Sequence, residues 1–294
     1  MQQRLQHTIA KSVDLAGFGF FSGTNVLIRF EPADEDSGIR FQRDDCPSSQ
    51  PIPATLDFAT TLHRRTGLAA HDTHVAMVEH VMAALSGLQI DNCLVRLNGP
   101  EPPGVDGSCQ PFVEALLKVG VVPQDRRRTA LVVSHDVHVA EPGQSGWIRA
   151  RPTETNALVI AYDLDYGPGS PIPPQRVCVE ITPETFLSEI AFARTFILES
   201  EVAELRACGY GTQVTAQDLL VYGDQGVIGN AERTADECAR HKILDCLGDV
   251  ALLGQDLIGC IDARRSGHLL NLQLARSLAQ SCAGPASGSH RQVA

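Results

Sequence analysis

Two short strings far apart in the chain, Glu79-His80 and His241-Lys242-Ile243-Leu244-Asp245, hold between them the residue types that bind a zinc ion and drive a water molecule. His241 and Asp245 lie four apart in a segment whose pattern predicts helix, so both side chains leave one face about one turn apart. Imidazole nitrogen and carboxylate oxygen are ordinary zinc ligands. Catalytic zinc sites use three protein ligands and leave a fourth position for water or substrate, and His80 can supply the third. Glu79 cannot point the same way as His80 on a helix, yet it can reach a water from the side and accept its proton, a general-base arrangement. A lone His-x-x-x-Asp on an amphipathic helix is more often a solvated polar face or a local hydrogen-bonded pair, so the weight rests on the combination.

The elements that must position these residues are legible in the patterning. Residues 8 to 60 alternate apolar and polar positions between Gly, Pro and Asp punctuation, as in Thr24-Asn25-Val26-Leu27-Ile28-Arg29-Phe30, which predicts strands. From Thr73 the apolar residues Val75, Val78, Val81, Met82 and Leu85 recur at helical spacing, with Asp72 or Thr73 to cap the start and Gly87 to end it. That helix would carry Glu79 and His80 in its middle. A strand over 92–97, a Pro/Gly loop through Gly104-Val105-Asp106-Gly107-Ser108 and a helix over 110–119 follow. The second half begins again with strands near 130–139, 147–150, 157–163 and 177–181, then closes with helix 235–253, strand 257–263, loop 264–267 and helix 268–279.

The repeated closing unit predicts an α+β fold of two similar domains, residues 1–127 and 128–280. Each would be a mostly antiparallel sheet covered by helices, with the active site at their interface. Residues 197–231, with a short helix near 201–207 and the apolar run Leu219-Leu220-Val221-Tyr222, read as an insertion beside the site that breaks the symmetry. Arg126-Arg127-Arg128 reads as a solvated link between domains. The tail 281–294, rich in Ser, Gly and Ala, reads as disordered.

Composition narrows the function classes. The 294 residues, 43% hydrophobic and 20% charged, suffice for two cores. A formal net charge of -11 argues against a nucleic-acid surface, which needs clustered Lys and Arg to meet phosphates. Nine cysteines without a Cys-x-x-Cys pair suggest a reducing compartment rather than a disulfide framework. The N-terminus lacks an apolar signal region and no stretch reaches the eighteen apolar residues of a spanning helix, so the expectation is a cytoplasmic protein.

Taken in order, several separated strings resemble the zinc-dependent UDP-3-O-acyl-N-acetylglucosamine deacetylases of lipid A biosynthesis, over about residues 8–279. They are Val78-Glu79-His80 with Ala83-Ala84-Leu85-Ser86-Gly87-Leu88-Gln89-Ile90-Asp91-Asn92, then Asp106-Gly107-Ser108, Ala193-Arg194-Thr195-Phe196, Arg240-His241-Lys242-Ile243-Leu244-Asp245 with Gly248-Asp249, and Ser266-Gly267-His268. The resemblance implies two βα sandwich domains and hydrolysis of the N-acetyl group from a UDP-linked, acylated glucosamine, releasing acetate and a free amine. It implies His80, His241 and Asp245 as zinc ligands and Glu79 as the base. It also implies His268 as a cationic acid that stabilises the oxyanion and protonates the leaving amine. Asp249, eight residues beyond His241 on the same helical face, can accept a hydrogen bond from His268 and favour its charged form. Thr195 would donate to the oxyanion, Lys242 would meet the head group and diphosphate, and Phe196 and Asn271 would line the sugar pocket. The 197–231 insertion would surround the acyl chain.

A further expectation is a monomer that takes its lipid precursor from the membrane's aqueous face, by transient contact with the inner membrane surface. The chain departs from the family pattern in places. Gly17-Phe18-Gly19-Phe20-Phe21-Ser22-Gly23 has Phe21 where the family's Gly-x-Gly-Leu-His-Thr-Gly has His. Met77 replaces a common Thr, and His63-Arg64-Arg65 stands at the acyl and sugar entrance where small or apolar residues are usual. Two rivals follow: a zinc amidase for another N-acyl sugar, and a non-catalytic paralogue that binds nucleotide sugars or acyl chains.

Overall fold

Strict alternation in Asn25–Pro32 buries Val26, Ile28 and Phe30 and turns Asn25, Leu27 and Arg29 outward, the period of a sheet covered on one face. The strand Gln175–Ile181 repeats the pattern in the second half, burying Gln175, Val177 and Val179. A computed structural model, which describes residues 3–46, 50–143 and 145–282, assembles such strands into an α+β fold of mostly antiparallel sheets and six α-helices among the described residues.

The first-half sheet runs Val13–Phe18, Asn25–Pro32, Cys93–Leu97, Ile39–Arg43, Ile52–Pro53. The second-half sheet runs Val137–Ala140, Trp147–Arg151, Asp256–Arg264, Leu158–Leu164, Gln175–Ile181, and Ala130–Val132 adds parallel to the start of Asp256–Arg264. Numbered along its own half, each five-strand path therefore reads first, second, fifth, third, fourth. In both, the fifth strand is parallel to the third and every other neighbour is antiparallel. A helix precedes each fifth strand, Glu79–Gly87 and Glu237–Val250, and another follows it, Gln110–Val119 and His268–Cys282.

Two expectations about symmetry and helix placement change. The first half also carries an insert, the antiparallel sheet Ala59–Leu62, Arg65–Ala70, Thr73–Ala76, at the same point in the path as the second-half insert of Phe196–Leu198, Leu220–Gly223, Gly226–Val227 and helix Glu199–Ala207. Thr73–Ala76 is thus a strand, paired with residues 67–70, and the helix starts only at Glu79. Met77 sits between them at φ 54, a left-handed turn that helix cannot continue through. Val75 and Val78 matched helical spacing because both enter the same core, not because they share a helix. Glu79 and His80 consequently lie in the first turn of their helix rather than in its middle.

Helix Glu79–Gly87 packs directly on helix Glu237–Val250. Gly248 makes the close crossing possible, since a Cβ there would stand 2.0 Å from the Glu79 carbonyl oxygen. Of the basic triplet, Arg126 is the solvated residue expected, but Arg128 is mostly buried and pairs with Asp91 at 3.0 Å and Asp256 at 3.4 Å. Arg4 reaches the same two carboxylates, at 2.7 Å each. Ser281 and Cys282 end the last helix; the rest of the tail expected to be disordered lies outside the described residues. No helix among the described residues is long and apolar enough to cross a membrane.

Candidate metal centre and surrounding cavity

The close helix crossing brings the first turn of Glu79–Gly87 against the middle of Glu237–Val250. Among the described residues, His80, His241 and Asp245 form the one group of three such donors able to share an ion, with ligand atoms within 4.8 Å of one another. Asp245 Oδ1 lies 3.6 Å from His80 Nε2 and 3.4 Å from His241 Nε2, and the two rings stand edge to face with centroids 5.1 Å apart. All three residues are buried.

The electrostatics suit a cation. His241 Nδ1 is 3.0 Å from the Ala193 carbonyl, which can only accept, so that nitrogen carries the proton and Nε2 keeps its lone pair. Burial pushes the His241 imidazole down to about 4, against the pull of Asp245, so the ring is neutral near pH 7. Burial works against the Asp245 charge, but Lys242 and His241 outweigh it and hold the carboxyl well below its ordinary range. Lys242 Nζ donates to Asp245 Oδ2 at 2.6 Å, and this contact keeps the lysine charged despite burial. Two imidazoles, that of His241 neutral, and a fixed carboxylate, with a side open to the cavity, are a donor set that fits zinc or a similar borderline cation.

Glu79 lines the same cavity but stands outside the group of three donors. Its Oε2 accepts from the Thr66 backbone amide at 3.1 Å, and its Oε1 lies 3.8 Å from His268 Nε2. Burial pushes its carboxyl up to about 7, opposed in part by His268 and His80. For His268, burial favours the neutral ring but is outweighed by the charges of Asp249 and Glu79, which raise it to about 9. His268 Nδ1 meets Asp249 Oδ2 at 2.9 Å. Asp249 also accepts from the Thr66 hydroxyl at 2.6 Å and from Asn271 Nδ2 at 2.8 Å, so this fully buried carboxylate is completely bonded.

These groups face a cavity of about 860 Å³ lined by both inserts. Of the residues expected at the site, Glu79, His80, Thr195, Phe196, His241, Lys242, Asp245 and His268 line it. Asn271 does not: it sits 1% exposed behind the wall, where it holds Asp249. Asp249 acts from the same buried layer. The Thr195 hydroxyl is 3.0 Å from the Gly107 carbonyl and 3.2 Å from His241 Nε2, so its single proton already has acceptors. Phe196 packs edge-on to both His241 and Tyr166, at 6.1 Å each.

Sequence reasoning missed Thr66, Tyr166 and Arg265. Thr66 bonds both Glu79 and Asp249, yet nothing in His63-Arg64-Arg65-Thr66 signals it. Arg265, beside Ser266-Gly267-His268, could have been found from that string; it lines the cavity and pairs with Asp165 at 3.0 Å.

The chain as a whole is similar to known proteins. A family described as UDP-3-O-acyl N-acetylglycosamine deacetylase matches residues 6–280. Proteins named UDP-3-O-acyl-N-acetylglucosamine deacetylase from Brucella melitensis biotype 2 (strain ATCC 23457) and Brucella ovis (strain ATCC 25840 / 63/290 / NCTC 10512) are each 38% identical to it over 275 residues, 93% of this chain and 94% of theirs. With the match running through both inserts and both ligand-bearing helices, the chain belongs to the UDP-3-O-acyl-N-acetylglucosamine deacetylase family.

Proposed function

We propose that the protein hydrolyses the N-acetyl group of UDP-3-O-acyl-N-acetylglucosamine, with zinc held by His80, His241 and Asp245, giving acetate and the free amine of a lipid A precursor. The observation that carries the reading is the placement of Glu79 and His268 on the cavity side of the three donors, with Glu79 Oε1 and His268 Nε2 3.8 Å apart. Zinc, when bound, supplies Lewis acidity toward the amide carbonyl and toward water.

Glu79 takes a proton as water attacks the acetyl carbon, and its carboxyl near pH 7 is matched to that task. His268 enters as imidazolium, held charged by Asp249, and stabilises the oxyanion that develops. As the C–N bond breaks, Nε2 of His268 gives its proton to the amine nitrogen, which could not leave as an amide anion. Thr195 turns its hydroxyl from Gly107 to the same oxyanion. Lys242 and Arg265 present cations to the diphosphate, and Tyr166 and Phe196 flank the sugar nucleotide.

The reading also makes residues 1–127 and 128–280 two domains, supported by the repeated strand order, and the protein a cytoplasmic monomer that touches the inner membrane surface transiently. Acetate release from the substrate by purified protein with one equivalent of zinc tests it, with Glu79→Ala alongside. Zinc-dependent release by the wild type and not the variant supports both reaction and base; no release by zinc-loaded wild type overturns the reading.

A further inference from the structure

The cavity has an apolar arm distinct from the charged one around Lys242. Phe20, Met77 and Leu219 form a buried cluster apart from the main core, with Phe21, Val214 and Val221 packed on it, and all six line the cavity. One wall of this arm comes from the first half of the chain and the other from the second-half insert. Polar contacts join the walls: the Gly211 amide donates to the Phe20 carbonyl at 3.0 Å, the Gln213 side chain donates to the Gly23 carbonyl, and Arg64 pairs with Glu201.

Arg65, Phe21 and Tyr210 meet at this seam. The Arg65 guanidinium carbon lies over the Phe21 ring, 3.7 Å from its centroid, and 5.2 Å from the centroid of Tyr210. Phe21 and Tyr210 stand edge to face at 5.3 Å. Arg65 Nη1 donates to the His63 carbonyl at 3.0 Å, while its buried Nε has no hydrogen-bond partner. Ring contact is therefore a main tie of this cation, an interaction that strengthens when the cation is out of water. The Phe21 backbone is pinned as well: its amide donates to the buried Glu101 carboxylate at 3.1 Å and the Ser22 amide at 2.5 Å.

We propose that Phe21 and Tyr210, clamped by Arg65, form a fixed wall of the apolar arm that sets which acyl chains the enzyme accepts. The inference rests on the deacetylase reading for its ligand, since the substrate's ester-linked acyl group is what an apolar arm beside the amide site would take. Arg65 is a positioning residue: it does not line the arm but holds the two rings that do. Each methylene the arm accommodates is worth about four-fold in affinity. A wall tied to both halves of the chain cannot retreat without breaking its seam, so that gain stops at a defined length.

The experiment measures affinity for UDP-3-O-acyl-N-acetylglucosamines of increasing chain length by calorimetry. It uses zinc-loaded protein carrying Glu79→Ala so that nothing turns over, with and without Phe21→Leu or Arg65→Met. The expected result is a rise of about four-fold per methylene that ends at one chain length, with the end moved to longer chains by at least two carbons in both variants. Arg65→Lys, which keeps the charge and loses the plane, should resemble Arg65→Met. A profile of unchanged shape in the variants, whatever their overall affinity, overturns the wall. Turnover of the parent protein on the best-bound chain is scored separately, so absence of acetate release counts against the deacetylase reading and leaves the binding profile to decide the wall.

Discussion

At the scale of single residues, environment sets the proposed base Glu79, the proposed acid His268 and the three grouped donors apart. Glu79→Gln should retain bound zinc and lose roughly 10²–10⁴-fold in turnover, the range for removing a general base; metal analysis of the purified variant beside its acetate release checks both. The proposed roles predict a pH profile of kcat/KM whose acid limb follows deprotonation of Glu79, near 7, and whose alkaline limb follows loss of the His268 proton, near 9. Asp249 raises both groups, so Asp249→Asn should slide the bell to lower pH, with the alkaline limb falling by roughly one to three pH units. An alkaline limb that stays in place would rule out Asp249 as the group that keeps His268 charged. Asp245→Ala removes a proposed ligand and strands Lys242, a buried cation held by that carboxylate. Metal content should fall, and the metal-free protein should lose about 3–5 kcal/mol in denaturant unfolding, the usual consequence of breaking a buried pair from one side.

At the scale of elements, the cradle exists because two helices cross closely enough for the first turn of one to meet the middle of the other. Gly248 sets that distance, since any side chain there meets the Glu79 backbone. Gly248→Ala should destabilise the fold by about 1–3 kcal/mol, as overpacking does. It should also weaken zinc binding, because His80 moves away from His241 and Asp245 together with its helix. A variant with normal metal affinity and reduced stability would show that the ligands adjust independently of the crossing. The left-handed Met77 has the complementary task of ending the strand Thr73–Ala76 so that Glu79 and His80 fall on buried first-turn positions facing the partner helix.

At the scale of the whole molecule, Arg4 and Arg128 each bridge Asp91 of the first half to Asp256 of the second, a closed set of four charges on the seam. Asp91→Asn should cost less than the about 3–5 kcal/mol of a fully buried pair, because both arginines are partly wetted. It should also loosen the halves from each other. Trp147, the single tryptophan, reports on the second half, whereas far-ultraviolet dichroism reports on both. The two unfolding transitions should coincide in the wild type and separate in Asp91→Asn; coincident transitions in the variant would show that the packed helices suffice to couple the halves. The α+β class, the strand periods and most helices were legible in the sequence, because alternation at period 2 and recurrence near 3.6 are imposed locally by which face is buried. The spacing of His241 and Asp245, and their company with Glu79-His80, were legible for the same local reason. The strand at Thr73–Ala76 was not, since burial in one core gave Val75 and Val78 a helical spacing without a helix. Nor could the sequence show that Thr66 ties Glu79 to Asp249, that Asn271 lies behind the wall, or that the Arg65 guanidinium sits over the Phe21 ring. Those relations join residues distant along the chain, and only the packing of two sheets around one helix crossing brings them within hydrogen-bonding or van der Waals reach.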